Sequence, residues 1–291
     1  GLSVDADGFE KSMAKQKQRA RDAGSFTHSF DDGEWHEVSK GPSNIFVGYV
    51  KDECTSKIRK YRLDGEDIEL VLERTPFYAE QGGQVGDTGT ISMDDFLIEI
   101  TDTRKNGEDI SHFGKIKSGD IQNTTEVVAK INKNRRNRIR LNHTATHLLQ
   151  QALKMVMGDH VHQAGSHVGP DRLRFDLTHF ERIDIKELSK IEDIVNSAIR
   201  NNTFLDIQVM SFDKAREDGA VALFGEKYGE KVRVLDIGNS RELCGGTHVQ
   251  KTGDICLFKI QSESGISSGV RRIEATTGVN ILNMLKEKIS K

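Results

Sequence analysis

The stretch RIRLNHTATHLLQQALKMVMG, residues 138–158, has the clearest structural pattern in the chain. Its apolar residues recur at three- and four-residue intervals, which predicts an amphipathic helix with one broad buried face. Gly158 follows the last apolar residue and is typical of a helix C-terminus. His143 and His147 are four residues apart, so both imidazoles lie on one face of this helix. The stretch therefore predicts a core element that also carries a pair of metal ligands.

A mixed α+β pattern extends on the C-terminal side of this helix. A capping box, Asp184 and Glu187, starts a second amphipathic helix. The predicted strands that follow are residues 205–210, 232–236, 255–260 and 270–275. Cys256 lies in the third of these strands, and we expect it to be a small buried residue rather than a metal ligand. Residues 126–291 are therefore predicted to form an α+β core.

The segment before the first helix is rich in strand patterns. Its short apolar runs are residues 45–50, 68–72 and 96–100. Turn pairs such as Asp64-Gly65 separate them, which predicts a small β-barrel or a β-sandwich over residues 31–125. Residues 1–30 are polar, with helix formers from Phe9 to Asp22, and predict a helical linker. The expected fold class is α+β, with the β-rich segment first and the mixed core second.

Composition and charge exclude several classes of function. The formal net charge of the 291 residues is -3, so any nucleic acid must be bound by local basic patches. Three cysteines do not make a disulfide framework and indicate a reducing compartment, where a thiol is free to bind metal. No apolar run reaches the ~20 residues that span a bilayer. We expect a cytoplasmic protein that binds neither membrane nor DNA.

A second pair of potential metal ligands follows about 100 residues after the first. In Cys244-Gly-Gly-Thr-His248, a thiol and an imidazole are four residues apart and flank two turn glycines. With His143 and His147 they complete a four-ligand nitrogen and sulfur set of the kind that binds zinc. We predict one Zn²⁺ per chain. Four protein ligands would indicate a structural ion and three with water a catalytic one, and the spacing leaves both open.

Five blocks of sequence occur in a fixed order over about residues 9–280. They are residues 74–89 (RTPFYAEQGGQVGDTG), 142–149 (NHTATHLL), 222–229 (ALFGEKYG), 242–249 (ELCGGTHV) and 269–275 (GVRRIEA). These blocks resemble the editing region of the alanyl-tRNA synthetases and, almost as closely, the free-standing AlaX deacylases. The resemblance implies a β-barrel-like subdomain followed by an α+β editing core similar to that of threonyl-tRNA synthetase.

The same resemblance implies an activity and a partner. The activity is hydrolysis of the ester in a tRNA for alanine that carries serine or glycine, and the tRNA presents its acceptor stem and aminoacylated 3′ end. By this resemblance the four residues above bind zinc, while Thr146 and Gln163 line the editing pocket and are the catalytic candidates. The glycine-rich stretch is implied to pack beside that pocket. Its candidate substrate-binding residues are Tyr78, Gln81, Gly82, Gly83, Gln84 and Asp87.

Ester hydrolysis needs an activated water, a place for the developing oxyanion and a firm hold on the 3′ end. Zinc could lower the pKa of a bound water towards ~7 or only position the substrate, and the sequence favours neither. Serine differs from alanine by one hydroxyl, so a pocket that hydrogen-bonds it through Thr146 or Gln163 would spare alanine. Thr146 can equally bond to its own helix backbone.

The glycine-rich stretch also has a plain structural interpretation. It lacks the Gly-Lys-Ser/Thr signature of a Walker motif, so we expect no ATP site in this chain. Glycines can let backbone N–H groups approach an anion, which favours a loop that supports the pocket or the tRNA end. The alternative is an ordinary hairpin turn.

Two groups of arginines are candidates for tRNA contacts. Residues 133–140 hold five basic side chains directly before the ligands, which favours contact of Arg136 and Arg138 with the acceptor-stem backbone over a solvated face. Arg271 and Arg272 point to opposite sides of a predicted strand, so only one can face the site. Arg272 is the candidate, and an ion pair with Glu274 is the alternative.

Three functions fit these patterns. They are an editing hydrolase cut from a synthetase, a complete free-standing deacylase, and a zinc-stapled tRNA-binding module without activity. The linker before residue 30, the start at Gly1 rather than Met, and the charged run 279–291 favour the first. We therefore expect a zinc-dependent aminoacyl-tRNA deacylase that lacks the ATP-dependent aminoacylation domain, with the rest of the synthetase in a parent chain.

Overall fold

A computed structural model describes residues 33–121, 125–221, 229–238 and 240–289. The strands in these ranges are β1 (His36–Glu37), β2 (Ile45–Phe46), β3 (Glu53–Asp64), β4 (Asp67–Leu72), β5 (Arg74–Thr75), β6 (Gly89–Met93), β7 (Phe96–Asn106), β8 (Asp109–Ser118), β9 (Glu126–Ile131), β10 (Gln163–Val168), β11 (Leu173–Thr178), β12 (Asp206–Ser211), β13 (Lys231–Ile237), β14 (Ser240–Leu243), β15 (Phe258–Ser267) and β16 (Val270–Thr277). The α-helices there are α1 (Lys133–Met157), α2 (Ile185–Arg200), α3 (Phe212–Glu217) and α4 (Val279–Ile289). The predicted linker at residues 1–30 and motif residues 222–228 lie outside the described ranges.

Six strands close into an antiparallel barrel in the order β3-β4-β8-β7-β6-β9, with β9 pairing back onto β3. Alternate residues of β7, including Ile98 and Ile100, point inward and are buried, as the two-residue period of a strand requires. Closure leaves the ring without a free edge. Strand β9 lies beyond residue 125, the end we proposed for the barrel, because it must pair with both β3 and β6 to complete the ring.

The α+β core packs α1 and α2 against the antiparallel sheet β10-β11-β16-β15. Asn132 caps α1 by accepting a hydrogen bond from the Arg135 N–H at 3.0 Å, so the basic run is part of the helix. The predicted capping box of Asp184 and Glu187 is present at the start of α2. A smaller sheet, β12-β13-β14, ends beside Cys244. The predicted α+β class, with a barrel followed by the core, is confirmed.

Two predicted strands have other bounds than expected: one starts later and one is shorter. Within residues 255–260 a 3₁₀ turn, Thr252–Ile255, comes first, and β15 begins only at Phe258, where both backbone groups bond to the buried Asn196. Cys256 lies between them with φ of 70° and is exposed, so its predicted burial is wrong. Within residues 45–50 only β2 is a strand. No helix in the described ranges is long and apolar enough to cross a membrane.

Arg136 joins α1 to the barrel. Its guanidinium is fully buried, forms an ion pair with the buried carboxylate of Asp87, and donates to the carbonyl oxygens of Gly48 and Pro76 at 2.8 and 2.9 Å. Asp87 also accepts from the Tyr78 N–H at 2.7 Å. Arg136 therefore does not reach an RNA backbone and Asp87 does not reach a substrate. Both predictions are corrected, because the two charges neutralise each other inside the protein.

Removal of one partner from this ion pair leaves a buried charge unpaired. We expect Asp87→Asn to lower the free energy of unfolding by about 3–5 kcal/mol, measured by urea denaturation. Arg138 is the matched control, because its pair with Asp171 at 3.1 Å is exposed and Arg138→Gln should cost less than about 1 kcal/mol. Equal losses in the two variants would contradict a structural role for the buried pair.

His112 is a neutral imidazole in the barrel core. Its Nδ1 lies 3.1 Å from the Leu70 carbonyl oxygen, which can only accept, so Nδ1 carries the proton. Nε2 therefore accepts from the Thr75 hydroxyl at 2.7 Å. Burial disfavours the imidazolium and lowers the pKa of His112 to about 4, against the opposing effect of the Leu70 carbonyl.

This pKa predicts a loss of stability in acid. The unfolded chain takes up the proton at pH ~6.5, before the folded chain does, so stability is full above that pH and is lost as the pH falls towards 4. We expect His112 to account for about 3 kcal/mol of this loss. Urea unfolding between pH 7 and 4.5 should show a flatter dependence for His112→Gln, while the exposed His162→Gln should follow the parent protein.

Candidate metal centre

Four side chains from two distant segments meet at one point. His143 and His147 lie on successive turns of α1, and Cys244 and His248 follow β14; all four are buried, with their ligand atoms within 4.8 Å of one another. The Cys244 Sγ is 3.5 Å from His143 Nε2 and 3.2 Å from His248 Nε2. A tetrahedral ion with bonds of about 2.0–2.3 Å places its ligand atoms roughly 3.3–3.8 Å apart. The predicted meeting of the two pairs is confirmed, and their spacing fits a single metal ion.

Each histidine is oriented by a partner on Nδ1. The pairs are His143 with Gln84 Oε1 (2.7 Å), His147 with Glu242 Oε2 (2.7 Å) and His248 with Thr144 Oγ1 (3.2 Å). This leaves the Nε2 atoms facing the shared centre, as is usual for metal-binding imidazoles. The Nε2 of His147 is buried and has no hydrogen-bond partner among the described residues. Because an unsatisfied buried nitrogen is costly, the donor set fits a bound metal.

The charges around the cluster favour its metal-binding forms. Burial alone would raise the pKa of the Cys244 thiol, but the three imidazoles outweigh it and hold that pKa well below its usual value. Burial also lowers the pKa of His248 to about 3, which keeps this ring neutral. At His147 burial opposes the charge, yet the Glu242 carboxylate outweighs it and raises the pKa to about 10. A thiolate and a carboxylate thus attract positive charge here, and a metal ion would take the place of the His147 proton.

The glycine-rich stretch is a hairpin turn. Gln81 and Gln84 exchange both backbone hydrogen bonds, and Gly82 and Gly83 have φ of 59° and 78°. Two positive φ values define a type I′ turn, a conformation that favours glycine. The turn packs on β10, where a Cβ on Gly83 would overlap Ser166. The hairpin interpretation is correct for the backbone, and the turn carries the Gln84 side chain into the metal centre.

Gln84 connects the barrel to both halves of the cluster. Its side chain is fully buried, and Oε1 accepts from the His143 Nδ1–H, from the Thr247 N–H at 2.9 Å and from the Thr247 hydroxyl at 3.2 Å. Gly246 lies so close to His143 that a Cβ there would overlap the ring. The amide oxygen of Gln84, predicted as a substrate contact, is therefore engaged in holding the ligands.

The two catalytic candidates have partners of their own. Thr146 is buried, and its hydroxyl donates to the Asn142 carbonyl oxygen one turn earlier at 2.9 Å. Gln163 lies on β10 with its Nε2 3.3 Å from the Ser166 hydroxyl. Tyr78 and Gln81 line a cavity of about 490 Å³ that has Cys244 in its wall. Thr146 and Gln163 are not among the residues that line this cavity.

The other two arginine candidates, Arg138 and Arg272, form ion pairs at partly exposed positions. Arg272 pairs with Asp176, its register partner on β11, through two hydrogen bonds of 2.7 and 2.9 Å. The ion pair with Glu274, which was the alternative, is replaced by this one, because a carboxylate directly opposite on the neighbouring strand is closer than one two residues along the same strand. Arg138 pairs with Asp171 at 3.1 Å.

Sequence reasoning missed several groups around the cluster. Glu242 lies two residues before Cys244, and strand periodicity places both on one side, so a signal was present. No sequence signal pointed to Tyr49 or Arg233, because no motif surrounds either residue. The Tyr49 hydroxyl donates to the Gly245 carbonyl oxygen at 2.6 Å, and the Arg233 guanidinium lies 4.3 Å from the centre of the Tyr49 ring.

Two family models match the chain. A model described as "tRNA synthetases class II (A)" matches residues 1–135, and one described as "Threonyl and Alanyl tRNA synthetase second additional domain" matches residues 232–274. The second match begins in β13 and includes Cys244 and His248. By these matches the chain is similar to class II tRNA synthetases in its first part and to the threonyl and alanyl additional domain around Cys244 and His248.

The curated relatives compared with this chain are alanine–tRNA ligases. The alanine–tRNA ligase of Shewanella loihica is 44% identical over 297 residues, which is 99% of this chain and 34% of that protein. Alanine–tRNA ligases of two Legionella pneumophila strains are 43% identical over 300 residues, with the same coverage. The chain spans about a third of the length of these relatives. The resemblance to the alanyl-tRNA synthetases is confirmed.

The bond from Gln84 to His143 should contribute to metal affinity. Loss of a partner that orients a ligand usually weakens binding by about 10–100-fold, and we expect this for Gln84→Leu. Titration with Co²⁺, whose absorption reports thiolate and imidazole ligands, measures the effect. Gln81→Leu, at the exposed end of the same turn, is the control and should bind Co²⁺ as the parent does. Equal affinities for both variants would show that Gln84 does not support the cluster.

Proposed function

We propose that this chain is the editing hydrolase of an alanyl-tRNA synthetase, which cleaves the ester of tRNA for alanine that carries serine or glycine. The observation that supports this most is the buried cluster of three imidazoles and one thiol at the junction of the barrel and the α+β core. In this proposal residues 1–30 are the linker, residues 31–125 together with β9 are the barrel subdomain, and the residues after β9, up to 291, are the editing core. The proposed parent protein is a cytoplasmic synthetase. It would contain the remaining domains, including the one that carries out aminoacylation with ATP.

We propose Zn²⁺ as the metal, one per chain. Three imidazole nitrogens and one thiolate within 4.8 Å of one another suit zinc. His143, His147, Cys244 and His248 would hold the ion. When bound, it supplies Lewis acidity and a fixed positive charge at this point of the site. The four protein donors fill a tetrahedral shell, which favours an ion that organises the site and positions the ester.

The chain's own polar groups would select the amino acid. The Thr146 hydroxyl donates its proton to Asn142, so its oxygen keeps lone pairs that can accept from the hydroxyl of serine. Alanine offers no such donor, and a polar group left without a partner weakens its binding. Glycine would be accepted by size. Gln163 is the second candidate for this contact, and Tyr78 and Gln81 would bind the substrate in the cavity beside Cys244.

Release of serine from Ser-tRNA tests the proposal. We expect the zinc-loaded chain to deacylate tRNA for alanine carrying serine much faster than the same tRNA carrying alanine. Thr146→Val should slow serine release by roughly 2–10-fold, the worth of one hydrogen bond, and leave alanine release unchanged. Thr101→Val, which changes an exposed barrel threonine, should alter neither rate.

Two outcomes would change the assignment. Serine release at the spontaneous rate, with zinc fully loaded, would leave only a zinc-stapled tRNA-binding module. Unchanged serine and alanine rates in Thr146→Val would remove the selection scheme but not the hydrolase. Cys244→Ala should abolish metal binding and activity together, and circular dichroism of this variant shows whether the ion also supports the fold.

A further inference from the structure

A groove of about 280 Å³ lies on the His248 side of the metal centre. Two aromatic side chains, Tyr49 and Phe204, and two arginines, Arg140 and Arg233, line it together with His248. Phe204 is 68% exposed, a high value for a large apolar ring. Within the residues that the structure describes, no Asp or Glu lines the groove. We call these five residues the Phe204 groove.

Both aromatic rings of the groove have a cation on one face. The Arg233 guanidinium lies 4.3 Å from the centre of the Tyr49 ring, and the Lys251 ammonium lies 4.4 Å from that of Phe204. Arg233 is held in place because its Nη1 donates to two carbonyl oxygens of the loop 244–248, at 3.1 and 2.8 Å. Positive charge is therefore fixed next to exposed ring surface, directly beside a metal ligand.

This combination is typical of sites for single-stranded nucleic acid, in which bases stack on aromatic rings and cations meet the phosphates. A duplex keeps its bases stacked within the helix and has none to place on Phe204. An acidic peptide would satisfy the cations but leave the rings exposed to water. His248 is one of the residues that line the groove, so a strand bound in it lies against a candidate metal ligand.

We propose that the Phe204 groove binds the unpaired nucleotides at the 3′ end of the tRNA, with one base stacked on Phe204 and the backbone phosphates at Arg140, Arg233 and Lys251. The proposal rests on the proposed editing function and adds the route by which the ester reaches the site. It assigns a role to residues outside every motif of the sequence except Arg140, the last residue of the basic run.

The neighbouring surface favours this route over the adjacent one. A second cavity, of about 590 Å³, shares Tyr49, Arg140 and His248 but is also lined by Asp52 and Asp254. These carboxylates repel phosphates, and one of them, Asp52, also pairs with Arg140 at 3.7 Å. None of the residues that line the Phe204 groove is an acid, and Arg233 there has carbonyl oxygens as its partners. A polyanion is therefore bound more favourably on the Phe204 side.

The test uses uncharged RNA, so that binding is measured independently of hydrolysis. The probe is a fluorescent RNA hairpin with the acceptor-stem sequence and four unpaired 3′ nucleotides, compared with the same hairpin ending blunt. We expect the chain to prefer the overhang by at least tenfold in fluorescence anisotropy. Phe204→Ala should lose roughly ten- to a hundredfold in affinity for the overhang, the range expected for one lost stacking contact, and should bind the two hairpins equally.

Matched variants separate stacking, charge and general surface effects. Phe204→Tyr keeps an aromatic face and should retain the preference. Lys251→Gln should reduce the slope of log affinity against log salt concentration by about one, as for one lost phosphate contact. Phe180→Ala removes another highly exposed phenylalanine, outside the groove, and should behave as the parent chain.

The failure of this proposal is distinguishable from failure of the hydrolase. An overhang preference that depends on Phe204, without any serine release, would keep the groove and remove the activity. Serine release with unchanged KM and unchanged hairpin binding in Phe204→Ala would keep the activity and overturn the groove. Absence of any overhang preference in the parent chain would also overturn it, and the exposed ring would then be a contact surface for another polypeptide.

Discussion

The buried ion pair of Arg136 and Asp87 is the contact on which the arrangement of this molecule depends. A guanidinium without access to water requires a carboxylate, so α1 cannot shift against the barrel without separating two buried charges. His143 lies seven residues after Arg136 on α1, and Gln84 lies three residues before Asp87 in the barrel. The contact that joins the two parts therefore also sets the distance between Gln84 and His143.

The barrel is consequently part of the metal centre rather than a neighbour of it. The three groups that orient the histidines come from separate elements: Gln84 from the glycine-rich turn, Thr144 from α1 and Glu242 from β14. Gln84 alone reaches both ligand pairs, through His143 and through Thr247 in the loop before His248. This arrangement gives a physical reason why a small barrel precedes the α+β core in one chain.

Two openings reach the loop 244–248, one at Cys244 and Gly245 and the other at Thr247 and His248. Tyr49 and Arg233 line both. The larger opening contains Tyr78 and Gln81, the proposed substrate-binding residues. The smaller one is the Phe204 groove, proposed for the unpaired nucleotides. Both openings therefore include residues of the candidate cluster in their walls.

The sequence by itself determined the elements and chemistry that local pattern encodes. Helical periodicity placed His143 and His147 on one face, the capping box marked the start of α2, and the spacing in Cys244-Gly-Gly-Thr-His248 identified the second ligand pair. Strand periodicity and turn residues predicted a β-rich segment, while the closed ring depends on β9, beyond residue 125. The predicted strand began too early, at Ile255, because the start of β15 at Phe258 depends on Asn196, 62 residues earlier in the chain.

Only the tertiary structure decided which of several similar residues is buried in an ion pair and which remains at the surface. Five basic side chains in residues 133–140 look alike in sequence, yet Arg136 is buried against Asp87, 49 residues away, while Arg138 stays at the surface. Gln84 supports the cluster through Thr247, 163 residues away, and Tyr49 contacts a loop 196 residues away. Periodicity and spacing report on neighbours within a few turns of chain, whereas burial and pairing depend on segments that meet only after folding.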